Sequence, residues 1–140
     1  MNTGLPKTAC IGGRRFRIRS DFREILDICA ALNDPDLTDQ DRAEVAVKIF
    51  YPDWDQITDM AAAVKFMLWF LDGGDQRQQP KQMDWEQDFP MIIAPINRVA
   101  GQDVRALPYM HWWTFIGYYM EIGDCTFSTI LDIRRKLRKH

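Results

Sequence analysis

The chain has few of the residues that usually carry chemistry. It holds 3 cysteines, Cys10, Cys29 and Cys125, and no two stand in a CxxC pair. An odd count without a secretion signal fits reduced thiols in a cytosol rather than a disulfide framework. Only 2 histidines are present, His111 and His140, and HExxH spacing is absent. A metal centre or a nucleophile–base pair therefore has little to draw on. Gly12-Gly13 is not followed by a phosphate-loop pattern, so it reads as a turn. The most membrane-like run, Met60 to Leu71, is short and contains Lys65, too little for a spanning helix. The stretch Met1 to Thr8 has no apolar core and does not read as a signal peptide, and residues 1–7 are expected to be flexible. Charge of one sign is also missing: the net is -2, which gives no global attraction to nucleic acid or membrane.

What is present is apolar and aromatic. The 140 residues are 46% hydrophobic with 5 tryptophans, a composition for one globular domain with a single core. The densest stretch runs from Leu107 to Ile133. Pro108 suits a first helical position, and from Tyr109 to Ile122 apolar side chains cover nearly the whole helical circumference. His111, Thr114, Gly117 and Glu121 form the narrow exception. This predicts a buried central helix, stopped at Gly123, with Asp124 capping the next.

The rest reads as cover for that helix. Thr8–Ile11 and Arg14–Ile18, joined by Gly12-Gly13, predict a β-hairpin within residues 8–19. Phe16 and Ile18 alternate with Arg15, Arg17 and Arg19, giving one apolar face, which should lie against a helix, and one basic face. Ser20 is placed to cap a first helix burying Phe22, Ile25, Leu26, Cys29 and Leu32, ended by Asn33-Asp34-Pro35. Thr38 should cap a second, from about Asp39 to Phe50, with Ala43, Ala46, Val47 and Phe50 inward. A third is expected from about Asp55 to Asp72. Its polar stripe would be Thr58, Ala62, Lys65, Trp69 and Asp72, which puts Trp69 on an exposed face. Residues 73–84 lack periodicity and read as a flexible loop. A fourth helix spans about Glu86 to Ala100, tolerates Pro90, should bend at Pro95 and ends at Gly101. The last, about Thr126 to Lys139, buries Phe127, Ile130, Leu131 and Ile133, and residues 136–140 form a basic tail. The expectation is one mainly α domain of about six helices with a small hairpin.

No catalytic set emerges. His111 and Glu121 share a stripe but are too far apart to touch on one helix. Glu24 with Asp27, and Asp53 with Asp55, read as solvated faces and caps, and Cys125 as an ordinary thiol. The surviving candidates are binding residues: Trp69 with Lys65, the arginine face Arg15, Arg17 and Arg19 with Arg23 beside it, and Arg134 and Arg135 at the basic end. That end also complements a helix dipole.

Three stretches carry a family resemblance: Phe16-Arg17-Ile18-Arg19-Ser20-Asp21-Phe22-Arg23, Tyr109-Met110-His111-Trp112-Trp113-Thr114-Phe115, and Glu121-Ile122-Gly123-Asp124-Cys125-Thr126-Phe127-Ser128-Thr129-Ile130. Tyr51-Pro52 and Trp69-Phe70 fit as well. From about Ile11 to Arg135 the chain resembles the bacteriophage "gene product fifteen" family of tailed phages and prophages, most specifically in its His-Trp-Trp core. The resemblance implies a non-enzymatic tail-assembly chaperone, encoded just before the tape-measure gene. It would bind the long helical tape-measure protein, help recruit tail-tube subunits and work in the host cytoplasm, with no cofactor and no catalytic residues. Self-association stays open. The rival expectation is a small helical nucleic-acid-binding or regulatory phage protein using its arginines, and an enzyme of unrecognised chemistry comes third.

Overall fold

A computed structural model describes residues 4–74 and 85–121. The architecture is mainly helical with a two-stranded antiparallel hairpin at the N-terminus. Strands β1 (Thr8–Ile11) and β2 (Arg14–Arg17) pair so that Ala9 faces Phe16 and Ile11 faces Arg14. Gly12 and Gly13 both take positive φ, 59° and 79°, which a tight two-residue turn needs. The apolar face, Ala9, Ile11, Phe16 and Ile18, is buried in the common core.

Five α-helices follow among the described residues: α1 (Phe22–Leu32), α2 (Asp39–Phe50), α3 (Met60–Leu71), α4 (Trp85–Ala100) and α5 (Trp112–Met120). The expected sixth, with its caps and the tail 136–140, lies outside the described residues, as does 75–84. The hairpin leans on α3, α1 packs on α2, α4 and α5, and α2 packs on α3. Phe22 stacks on Phe115 with ring centroids 4.5 Å apart. Phe50 meets Phe70 at 5.3 Å, and the Tyr51 hydroxyl donates to the Ala63 carbonyl at 2.7 Å.

Three expectations need correction, each because a polar side chain or a backbone pairing decides where a helix begins. The first helix is capped by Asp21, not Ser20. The Asp21 carboxylate accepts from the backbone N–H of Arg23, while the Ser20 hydroxyl pairs with that of Tyr109. Ile28 is fully buried, and Leu26, Cys29 and Leu32 are half-buried.

The third helix does not run from Asp55. A 3-10 turn, Trp54–Gln56, comes first, and Asp59 then caps α3 by accepting from Ala62 N at 3.1 Å. The helix closes at Gly73 and Gly74, both at positive φ. The fourth helix, α4, runs through Pro90 and Pro95 and ends before Gly101 (φ 76°).

The largest correction concerns the expected central helix. Pro108 is not its first residue: the helix starts at Trp112 with His111 as cap. Residues before it are extended because Met110 and Trp112 bond across to the α1 entry, Phe22 N to Met110 O at 2.9 Å and Trp112 N to Ser20 O at 2.7 Å. Nor is α5 buried on every side. Trp112, Phe115, Ile116 and Tyr119 face inward, Trp113, Thr114, Gly117 and Tyr118 are half-covered, and Met120 is exposed. The core is shared between helices rather than built around one.

Candidate partner-binding surface

Three regions contain the residues that could meet a partner. The first is the aromatic seam where α3 meets α5. Trp69 is half-buried, 5.4 Å from Phe66 and 5.5 Å from Trp113 between ring centroids. The Trp113 indole donates to Phe70 O at 2.9 Å and the fully buried Trp112 indole to Leu71 O at 3.1 Å. Both indoles thus donate to carbonyls in the last turn of α3, where Phe70 O also accepts from Gly73 N at 3.0 Å. Gly74 closes the seam: a Cβ there would lie 2.6 Å from the Trp113 ring. Trp69 is therefore covered by neighbouring rings and does not stand alone on a polar face. The outward stripe of α3 is Ala61, Lys65, Leu68 and Asp72: Lys65 and Asp72 are exposed as expected, while Ala61 and Leu68, the latter 46% exposed, take the places expected of Ala62 and Trp69.

His111 belongs to this seam. Its Nδ1 accepts from Trp113 N at 3.0 Å, so Nε2 carries the proton and donates to Pro6 O at 2.7 Å. Burial holds its pKa below the ordinary 6.5; the Pro6 carbonyl opposes that shift and nearby Lys7 adds to it. With both nitrogens committed to backbone, the side chain is a structural cap. Among the described residues, no group of three or more His, Cys, Asp or Glu side chains is placed to hold a metal ion.

The second region is the arginine face, where most side chains are engaged within the molecule. Arg17 forks onto Asp53 at 3.3 Å, and Arg14 bonds Gln56. Arg19 donates to Ile49 O at 3.2 Å and pairs with Glu24 at 3.4 Å. Arg23 grips Asp21 through Nε and Nη2, 2.9 and 3.0 Å. Burial pushes the Asp21 carboxyl up, but the Arg23 hydrogen bond and the backbone N–H groups of Met110 and Arg23 outweigh it and hold the pKa below the usual range. Arg15 is exposed opposite Cys10, without a polar partner among the described residues. Arg134 and Arg135 lie outside them.

The third region was not visible as a site in the sequence. Between α2 and α3 opens an apolar cavity of about 330 Å³, walled by Ala43 and Val47 on one side and Met60 and Val64 on the other. Trp54, from the 3-10 turn, closes one end at 40% exposure, and Met60 is 45% exposed. Glu44 and Lys48 form an ion pair of 3.1 Å at the rim, with the Lys48 ammonium 4.7 Å over the Trp54 ring. The signal that could have found it is the tryptophan in the polar turn Tyr51-Pro52-Asp53-Trp54-Asp55, a large apolar side chain with no helical stripe to join.

No helix among the described residues is long and apolar enough to cross a membrane. Neither the curated proteins nor the solved structures contain a match to this chain. The family described as bacteriophage Gp15 protein matches residues 1–140, beyond the Ile11 and Arg135 limits expected from the motifs, and the chain belongs to that family.

Proposed function

We propose that this phage protein is a non-enzymatic tail-assembly chaperone. It binds the tape-measure protein, and in a second role tail-tube subunits, in the cytoplasm of the bacterial host. The reading starts from the family membership and from the resemblance carried by the His-Trp-Trp core. The observation that carries it physically is the open apolar groove between α2 and α3, flanked by exposed Trp54 and Met60. A groove of this kind takes the apolar stripe of a helix, with anchors at steps of three and four residues. A long helical protein waiting to be packed into a tail exposes such stripes until assembly.

The rival, nucleic-acid binding through the arginine face, has less support because Arg17, Arg19 and Arg23 already pair with the carboxylates of Asp53, Glu24 and Asp21 in their own chain. Co-expression with the tape-measure protein of the same phage tests the proposal. The expected result is co-purification and a larger soluble fraction of the tape-measure protein. Failure of both contradicts it, and DNA or RNA binding that falls steeply with salt would favour the rival.

A further inference from the structure

We infer that the α2–α3 groove is the docking site for a cationic amphipathic helix; the inference rests on the partner-binding reading above and specifies its surface and chemistry. The cavity is at the lower end of the ~300–1,000 Å³ range of small-molecule sites. Its polar lining is Gln40, Glu44 and Lys48, and Glu44 and Lys48 are already paired, so the Gln40 amide is the one uncharged polar group among the lining residues and little is left to fix the orientation of a polar ligand. An apolar slot between two helices instead fits one or two bulky side chains projecting from a third.

Charge selects the kind of helix. The segment from Asp34 to Asp59, which supplies the α2 wall and the Trp54 end, carries eight acidic residues against only Arg42 and Lys48. The chain as a whole is only -2, so this flank is far more acidic than the rest. Some of that charge is spent internally, on Arg17 at Asp53 and on Arg42 at Asp39. Asp41 and Asp55 are exposed, each next in the chain to a residue that lines the groove, Gln40 and Trp54, and Glu44, which lines it, is held by Lys48. An incoming lysine or arginine can take Glu44 while Lys48 keeps its place over the Trp54 ring. The opposite wall, α3, bears a single charge, Lys65. The cationic side of the bound helix therefore turns toward α2, and its apolar stripe meets Met60, Val64 and Trp54.

The test uses the full chain and two dye-labelled 18-residue helical probe peptides. Both carry leucine at positions i, i+3, i+4 and i+7; one has lysine and the other glutamate at the remaining sites. Fluorescence anisotropy should show saturable micromolar binding of the lysine peptide, weakening as NaCl rises from about 50 to about 300 mM without vanishing. The glutamate peptide should bind at least about tenfold more weakly. Trp54→Ala and Ala43→Gln, both at partly exposed positions and checked for native circular dichroism, should each weaken the lysine peptide about tenfold. Leu68→Ala, on the outward stripe of α3, should leave it unchanged. Equal affinity for both peptides, no binding, or binding untouched by both groove variants overturns the inference. So does a dimer of the unliganded chain that Ala43→Gln dissolves, because the occupant would then be a second copy. If the peptide fails while the tape-measure protein still co-purifies, only the groove assignment falls. If the peptide binds and the tape-measure protein does not, the groove stands and the assembly role falls.

Discussion

Replacing Asp21 by alanine should unlock the joint between the starts of α1 and α5. Asp21 is 8% exposed and its two carboxylate oxygens serve four donors: Met110 N at 2.7 Å, Arg23 N at 3.1 Å, and Arg23 Nε and Nη2 at 2.9 and 3.0 Å. Stranding the Met110 N–H, in a residue only 7% exposed, costs about 1–2 kcal/mol. Losing the cap costs about 1 kcal/mol more. The Arg23 pair, whose guanidinium side is 38% exposed, contributes less than about 1 kcal/mol after solvent screening. Asp21→Ala should therefore destabilise by about 3 kcal/mol, lowering the melting midpoint by about 10 °C. Asp21→Asn keeps an acceptor for Met110 and should lose about 1 kcal/mol, as should Thr38→Ala, which removes only the α2 cap. Urea titrations followed by circular dichroism, with equal m-values, supply the comparison. The folded pKa of Asp21 lies below its ordinary 3.8, so the unfolded chain binds this proton more readily. The stabilisation is present above about pH 3.8 and fades as pH falls through the folded value, so wild type and Asp21→Ala should converge in acid. If Asp21→Ala is no worse than Thr38→Ala at neutral pH, the joint does not hold these helices.

Other outcomes follow from the aromatic seam. Gly74→Ala, at φ 72° with its Cβ 2.6 Å from the Trp113 ring, should lose about 1–3 kcal/mol and alter the near-ultraviolet dichroism of the tryptophans. Trp112→Ala, at a fully buried ring, should lose about 3–5 kcal/mol, enough to threaten folding, and Trp112→Phe distinctly less. The folded pKa of His111 is depressed by burial, so its contribution is present above about pH 6.5 and is lost as pH falls below it. Stability should decline between about pH 7 and about pH 5 in wild type, and this slope should flatten in His111→Asn, which keeps a capping acceptor; equal slopes would refute the assignment.

The helical stripes of α1 and α2 were legible because buried residues three and four apart leave a periodic trace, as Ala46, Val47 and Phe50 do. The hairpin was legible because only a double positive-φ turn explains Gly12-Gly13 between alternating strands. Helix starts were harder to read. Asp21, Asp59 and His111 each set a boundary through a hydrogen bond whose value depends on what else the side chain touches, and Met110 across from Asp21 is 89 residues away. The same distance problem hid the groove: Ala43 and Val47 look like core on α2 alone, and only the placement of Trp54 and Met60 leaves a gap between them. On α3 the spacing places Lys65 and Asp72 outward correctly, but it cannot tell Leu68 from its neighbour Trp69, and the Phe66 and Trp113 rings that cover Trp69 leave Leu68 outward.

Hydrogen–deuterium exchange of the full chain, alone and with the co-expressed tape-measure protein, tests most directly whether this molecule works by lending its α2–α3 face to a partner helix. Added protection should concentrate in Asp39–Phe50 and Met60–Leu71, with the hairpin Thr8–Arg17 unchanged. Protection confined to the hairpin, or none anywhere, would contradict the account.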